Sequence, residues 1–415
     1  MAKEQLLVGL DVGSSTVRVV IGKREPDKKL PNVIGVGTHL SGGIRKGSVV
    51  DLEEAVSAIS GALEKAERMV GQAVESAYVG ISGEQISSDM HRGVVAIAKA
   101  DGEITEDDVT RALEAAQAVA MPSNQEILHI IPRSFNVDDQ KGIKDPVGMT
   151  GVRLEVEALI IYAGSGLIKN TTKAIFRAGV DIQDLVLTPL AASQAVMTKR
   201  QKELGSVIID IGGGTTGIAV FEEGDLLHTS ILPIGGSHIT NDIAIGLKTS
   251  VDVAEKVKVE YGFANPEEVG ENEEIDLSKI DPSEEEVVSK RTVAEIAEAR
   301  LDEIFEMVNR ELKKIRRAGK LPAGAVLTGA AAKMPGIVDV AKRSLGLPVQ
   351  VGFPKELPFA VDKVDDPSFA TAVGLVLWAN DMHGQSYGGG GVSGKFGAVS
   401  GALGKAKGWF KSLLP

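Results

Sequence analysis

The 415-residue chain contains no cysteine, which excludes disulfides, thiolate metal sites and thiol catalysis. Its six histidines (39, 91, 129, 228, 238 and 383) never fall at HxH or HxxxH spacing, so no transition-metal site built on imidazoles is expected. Positive charge is also in deficit. Lys plus Arg is 45 against 57 Asp plus Glu, a net charge of −12. Without a global positive field to draw in phosphate backbones, a general nucleic-acid binder is excluded. There is no apolar run of the roughly 18 residues that a spanning helix needs, and Met1-Ala2-Lys3-Glu4 leads directly into a strand-like LLVGL. Neither a membrane-spanning helix nor a signal peptide is therefore expected. What is present is 43% hydrophobic residues and a mean hydropathy of +0.06, enough for a well-buried core in two or three domains. A cytoplasmic, acidic protein of several subdomains is the expectation.

Strand-like and helix-like segments alternate, the pattern of an α/β protein. Residues 6–10 and 17–21 are short β-branched runs around a Gly/Ser turn, and a third run follows at 33–37. Residues 51–69 read as a helix. Asp51 is placed to cap it, Glu54 follows three residues on, and Val56, Ile59, Leu63 and Ala66 form one stripe. Thr105 opens a second helix carrying Val109, Ala112, Leu113, Ala116 and Val119, among strand-like runs at 94–98, 126–131 and 154–162. Residues 265–286 hold ten acids against one base, Lys279, and a solvated, partly disordered loop is expected there. Val293, Ile296, Leu301, Ile304, Val308 and Leu312 then mark a long amphipathic helix, and the glycines of 384–394 read as a flexible tether.

The most informative feature is a repeat. LLVGLDVGSSTVRVV (6–20) and SVIIDIGGGTTGIAV (206–220) each read strand, Asp-x-Gly-x-x-Thr turn, strand. Small residues let backbone N–H groups converge on phosphate oxygens, glycine permits positive φ, and hydroxyls add donors. The expected phosphate-binding residues are Asp11, Gly13, Ser14, Ser15 and Thr16 in one copy and Asp210, Gly212, Gly213, Gly214, Thr215 and Thr216 in the other. An Asp ending each entering strand suits hydrated Mg²⁺, which takes few direct protein ligands, so Asp11 and Asp210 are expected to face the metal through water. One such turn is a common hairpin; two copies, each opening a half of the protein, make a clamp around a polyphosphate. The run from Gly389 to Phe396 nearly fits GxxxxGK[ST], but Phe396 occupies the hydroxyl position and no strand precedes it, so a P-loop is not expected.

This layout resembles the actin, sugar-kinase and heat-shock-chaperone ATPase superfamily. The resemblance implies a duplicated, actin-like α/β fold with two halves around an ATP cleft. Residues 186–193 (VLTPLAAS) look like the helix connecting the halves, and 367–375 (PSFATAVGL) like a second connector with Gly374 at a close crossing. Residues 326–333 (VLTGAAAK) are similar to the adenosine loop, which implies Gly329, Ala330 and Lys333 at the nucleoside. Residues 254–262 (AEKVKVEYG) resemble the helix whose Glu and Lys reach the ribose, here Glu255 and Lys258; spacing alone describes an ordinary i,i+3 surface pair equally well. Two departures stand out. Thr188 precedes the connector Pro189 where many members carry a water-positioning Glu, leaving Gln194 as the candidate substitute. Ala330 and Ala331 stand where relatives usually have glycine, so a Cβ is expected to crowd the base. ATP binding with at most slow hydrolysis is the expectation.

Residues 83–162 form an insert containing HIIPRSFNVDDQKGIKDPVGMTGVRLEVE (129–157). Taken alone, Pro132, Gly142, Pro146 and Gly148 indicate a turn-rich α+β module. The string closely resembles the FtsA family of bacterial cell-division actin homologues, whose pattern runs His-x-Ile-Pro-Arg, Val-Asp, then Gly-Ile-x-Asp-Pro-x-Gly-Met-x-Gly-x-Arg-Leu. The likeness extends from residue 6 to the C-terminus and is weakest in the acidic stretch and the tether. It implies self-assembly into filaments through the insert, downstream division partners, and binding of the C-terminal peptide of FtsZ at the positions of Lys290, Arg291 and Arg300. On spacing alone these cations would balance Glu295, Glu298 and Glu303. The implied division is 1–82 with 163–195 and about 367–383; the insert 83–162; 196–226 with 304–366; and an FtsZ-binding subdomain 227–303.

After the tether, residues 395–415 carry an apolar stripe at 3–4 spacing, with Gly397, Gly401, Gly404 and Gly408 opposite and no acid after Asp381. The expected membrane-binding set is Phe396, Val399, Leu403, Lys405, Lys407, Trp409, Phe410, Lys411, Leu413 and Leu414. Four interior glycines cost a helix about 4 kcal/mol relative to alanine, so the segment is expected to become helical on anionic lipid. The alternative is a helix docked on the protein's own core. The combined expectation is an ATP-binding, polymerising scaffold that tethers FtsZ filaments to the inner face of the cytoplasmic membrane at the division site. Two alternatives remain: a sugar-kinase-type phosphotransferase, which requires a catalytic Asp facing the γ-phosphate, and a pilus-assembly actin-like adaptor.

Overall fold

In the computed structural model, which describes residues 5–25, 28–118, 124–354, 357–358 and 364–385, the repeated motif builds one sheet plan twice. β1 (Gln5–Val12), β2 (Thr16–Arg24) and β3 (Asn32–Leu40) run antiparallel in succession. A small ladder of β4 (Ile44–Arg45) and β5 (Ser48–Val49) leads into α1 (Leu52–Val70), and β6 (Ser76–Ile81) returns parallel to β1. The insert follows as β7 (Ile86–Ala96), α2 (Glu106–Gln117), β8 (Gln125–Val137), β9 (Gln140–Ile143) and β10 (Arg153–Gly164). It forms a separate antiparallel sheet, β7-β10-β8-β9. Then α3 (Ser165–Arg177) and β11 (Asp181–Leu187) complete the first sheet in the order β11-β6-β1-β2-β3, before α4 (Thr188–Val196) and α5 (Lys199–Leu204).

The second half repeats the plan with β12 (Ser206–Ile211), β13 (Thr216–Glu222), β14 (Asp225–Leu232), α6 (Gly236–Leu247) and α7 (Val251–Tyr261). Next come β15 (Glu274–Asp276), β16 (Val287–Ser289), α8 (Lys290–Lys314), β17 (Ala325–Thr328), α9 (Ile337–Leu345), β18 (Val349–Val351) and α10 (Ala370–Gln385). Its sheet order, β14-β13-β12-β17-β18, again puts the motif's first strand in the middle. Both middle strands are buried on two faces, which is why their sequences read as continuous apolar runs.

Local chemistry starts and stops the elements as expected. Asp51 accepts from Glu54 N (3.0 Å), Gly71 ends α1 at φ 74°, and Ile59, Leu63 and Ala66 are buried with Val56 half-buried. Thr105 and Asp108 form the capping box of α2. The halves meet where α4 and α10 cross. A Cβ on Gly374 would lie 1.8 Å from the carbonyl oxygen of Ala191, so only glycine lets these backbones touch.

Four expectations differ. The acidic stretch is folded: Pro266, Val269, Ile275 and Leu277 are buried between its acids, β15 pairs with β16, and Asp276 and Asp281 accept from Ser278 N and Ser283 N. Its charge density misleads because apolar anchors recur every few residues. Pro132 lies within β8 rather than in a turn, opposite Ala158 at a β-bulge, where the missing N–H is tolerated. The boundaries at 226 and 303 fall inside β14 and the unbroken α8. Finally, α10 extends to Gln385, into the segment read as a tether. Residues 386–415, with the rest of that tether, the near-P-loop run and the tail stripe, lie outside the described residues.

Candidate functional site

The two Asp-x-Gly-x-x-Thr turns face each other in contact. A Cβ on Gly213 would lie 1.9 Å from Ser15 Oγ, and one on Gly214 2.8 Å from Ser14 Oγ, so the glycines of one copy leave room for the serines of the other. Ser14 Oγ accepts from Gly47 N (2.9 Å), Ser15 Oγ and Ser237 Oγ are 3.3 Å apart, and Ser82 Oγ meets Thr215 Oγ1 at 3.2 Å. The first turn of α6 braces the second copy, with Gly236 N and Ser237 N donating to the carbonyls of Gly212 and Gly213, each at 2.8 Å.

The cleft between the turns is lined by Asp11, Gly13, Ser14, Ser15, Thr16, Asp210, Gly212, Gly213 and Thr215 together with Arg18, Thr188 and Thr371. Burial pushes the Asp11 carboxyl up to about 7; Arg18 pulls it back and Asp210 adds to the rise. Burial likewise pushes Asp210 up to about 6, against the hydrogen bond from Thr371 Oγ1 (3.2 Å) and the charge of Arg18. Two desolvated carboxylates facing a single guanidinium suit an added cation. Among the described residues no group of three or more His, Asp or Glu could hold a metal, so such a cation would complete its shell with water and phosphate oxygens.

Glu255 and Lys258 line the same cleft and also pair with each other at 2.6 Å, so the surface-pair description and the cleft description both hold. Lys258 Nζ reaches Thr240 Oγ1 (2.7 Å) and the carbonyl of Gly236 (3.3 Å) as well. Gly329 lies at φ +87°, and a Cβ there would stand 2.5 Å from Asp210 Oδ1 and from the carbonyl oxygen of Ile211. Its loop thus packs on the Asp210 carboxylate, and Ala330 and Ala331 continue the wall.

Four expected residues are not brought to the cleft lining. Lys333 turns away to pair with Asp366 (2.5 Å) and straps the adenosine-type loop to the start of the second connector. Thr216 is fully buried and donates to the carbonyl of Ile234 (2.8 Å), because it points to the opposite face of β13 from the cleft-lining Thr215 and Gly217. Gly214 is buried against Ser14 and the backbone of Lys46. Gln194 follows Thr188 by six residues on α4, which rotates it about 120° away from the cleft. Arg18, Ser82, Ser237 and Thr371 are cleft residues that sequence reasoning missed. Only Arg18 left a signal: two residues beyond Thr16 on an alternating strand, it shares the face of Thr16.

The cations on α8 are engaged by the protein's own acids. Lys290 bonds Glu273 (2.7 Å), and Arg291 lies 3.8 Å from Glu271 and 3.6 Å from Glu295. Arg300 grips Asp242 of α6 through Nε (2.6 Å) and Nη2 (2.9 Å) and also meets Glu303, while Glu298 is taken by Arg343 (2.7 Å).

A family model described as Cell division protein FtsA matches residues 207–374, and one described as SHS2 domain inserted in FTSA matches residues 83–162. The cell division protein FtsA of Pseudomonas aeruginosa is 39% identical over 90% of this chain and 89% of its own length. That of Bacillus subtilis is 42% identical over 91% and 84%, and that of Escherichia coli K12 is 36% identical over 91% of each. Among solved structures, the PilM-PilN type IV pilus biogenesis complex aligns with a TM-score of 0.66 at 17% identity, covering 90% of this chain and 98% of that one. MreB5 of Spiroplasma citri bound to ADP aligns at 0.55 and 14%, covering 93% and 99%. Likeness at that identity establishes the actin-like fold and nothing finer. The division relatives, matched along nine-tenths of the chain, decide the rest: this chain belongs to the FtsA family of actin-like cell-division proteins.

Proposed function

We propose that the chain binds ATP with Mg²⁺ between the two hairpins and uses it to hold its halves in a closed, polymerising form, while its C-terminal segment tethers FtsZ filaments to the cytoplasmic membrane. The observation that carries the nucleotide reading is the apposition of Asp11 and Asp210 in one cleft walled by both copies of the motif. The metal supplies charge neutralisation for the phosphates. Asp11 and Asp210 would hold its water shell, Ser14, Ser15 and Thr215 would donate to phosphate, Glu255 and Lys258 would take the ribose hydroxyls, and Gly329 and Ala330 would border the base. With Thr188 in place of a carboxylate and Gln194 turned away, no side chain on the connector is placed to activate water. ATP then acts by favouring the closed state rather than by rapid turnover.

The membrane part of the proposal rests on residues 395–415, with four lysines and no acid, and filament assembly would multiply weak single-chain attachment. The FtsZ part rests on the family's cell-division role and on Lys290, Arg291 and Arg300; the insert would carry filament contacts and later division partners. Arg300→Glu is a poor probe, because it would set a carboxylate against Asp242 and Glu303 and loosen α8 from α6. Arg291→Glu is better, its partners being distant and exposed. Electron microscopy on anionic lipid monolayers tests the whole reading. Filaments are expected with ATP-Mg²⁺ for the full chain, decoration by an FtsZ tail peptide is expected to be lost in Arg291→Glu, and lipid attachment is expected to be lost in Trp409→Glu/Phe410→Glu. Filaments that form equally well without nucleotide would refute the role assigned to ATP.

A further inference from the structure

The far end of α10 emerges beside a group of cations that the cleft does not use. Asn380 donates through Nδ2 to the carbonyl of Lys29 (3.1 Å), fastening the segment after β2 to the helix. At the next residue, desolvation pushes the Asp381 carboxyl up while the charges of Lys202 and Lys199 on α5 and of Lys29 after β2 pull it back. Desolvation and the charge of Arg24 together lower His383, two residues further on. Residues 23–29 and 199–203 together with Asp381 carry seven bases against four acids, a positive end on a chain of net charge −12. Lys29, Lys199 and Arg200 are exposed, and none is held in an ion pair among the described residues. Lys199 and Arg200 also occupy the first turn of α5, where the helix dipole disfavours cations. Helix stability does not account for their charge.

Chain connectivity selects the partner. The ten residue steps from Gln385 to Lys395 span at most about 35 Å. A surface that takes up the 395–415 segment therefore holds this end of the body within about 35 Å of it, leaving these cations able to reach that surface. The cations are spread over two exposed segments instead of lining a pocket, which suits a plane of headgroups better than a discrete anion. We propose that Lys29, Lys199 and Arg200 form a collar that lies against an anionic bilayer, so that body and tail grip one membrane and the body is held in one orientation. The inference rests on the tail-anchor reading above. A basic residue near an anionic surface strengthens partitioning about fivefold, within a screening length of about 10 Å.

The test is co-sedimentation of the full chain with vesicles of mixed phosphatidylglycerol and phosphatidylcholine across a salt series. It compares the parent, Lys29→Gln/Lys199→Gln/Arg200→Gln, and Trp409→Glu/Phe410→Glu. The collar variant should partition at least about tenfold more weakly with a shallower salt dependence, keep its Tm and its nucleotide binding, and match the parent on pure phosphatidylcholine. Equal pelleting of parent and collar variant at every salt concentration overturns the collar and leaves the anchor standing. Failure of the parent to pellet overturns both. Collar-dependent retention on duplex DNA but not on vesicles overturns the lipid assignment in favour of a nucleic-acid backbone.

Discussion

The two copies of the hairpin share a skeleton and differ in what their tips carry. The first carries serines at its tip and Arg18 on its outgoing strand; the second carries Gly213 and Gly214 at its tip and Gly217 at the position matching Arg18. At these positions one copy supplies hydroxyls and a guanidinium, and the other supplies space. A Cβ on Gly217 would meet Pro189 Cδ at 3.1 Å, which keeps that strand tight under the first connector. The lesson is that a duplicated site need not stay symmetric. Two turns that must touch across a cleft cannot both carry bulk at the tip, so one carries the serines and the other the clearance.

The comparison breaks hardest where the copies agree. Asp11→Asn and Asp210→Asn should each weaken Mg²⁺-dependent nucleotide binding by about a hundredfold, since each removes a charge from the cation's surroundings. Titration of a fluorescent ATP analogue with and without Mg²⁺ reads this, and undiminished affinity in either variant would remove that carboxylate from the site. Gly213→Ser tests the division of labour directly. It should lower nucleotide affinity about thirtyfold by crowding Ser15, and adding Ser15→Gly should restore most of the loss by moving the serine to the other copy. If the double variant binds no better than the single one, clearance between the turns is not what the glycines provide. Arg18→Ala should cost about tenfold, by leaving Asp11 and Asp210 without a cation and the phosphates without a donor. A loss confined to Mg²⁺-free conditions would show that Arg18 only substitutes for the metal.

How much of this was legible follows from what each residue's role depends on. Asp11, Gly13 and Thr16 could be read because the motif is local and printed twice. Gly374 could be read because a close helix crossing requires glycine at that position. Thr216 and Gln194 were misplaced for want of orientation, which strand alternation and helical rotation decide once the partner elements are known. Ser82, Ser237 and Thr371 were out of reach because each arrives from a distant element, and nothing in its own neighbourhood marks it. The acidic stretch erred in another way. A charge count hides four buried side chains, and those anchors outweigh the solvation of the acids around them.

The smallest effect comes from what the two copies share, a carboxylate whose charge burial disfavours. Asp11 is pushed up from 3.8 to about 7, and Asp210 to about 6. A raised carboxyl means that the folded chain binds the proton more tightly than the unfolded one. The stabilisation is therefore full below about pH 4 and is lost as the pH rises through the folded value. In the nucleotide-free protein at pH 8 both charges are buried at a cost. Asp11→Asn should then be the more stable protein by about 1 kcal/mol, the cleft's access to water keeping the gain well below a full desolvation energy. Thermal melts from pH 8 to pH 5 should show this advantage shrinking, and Asp210→Asn should show an advantage of the same sign that shrinks in the same direction. Saturating ATP-Mg²⁺ should reverse the order, because only the parent's carboxylates are stabilised by the cation. A difference that stays flat across pH would mean that the two carboxylates are already relaxed without ligand.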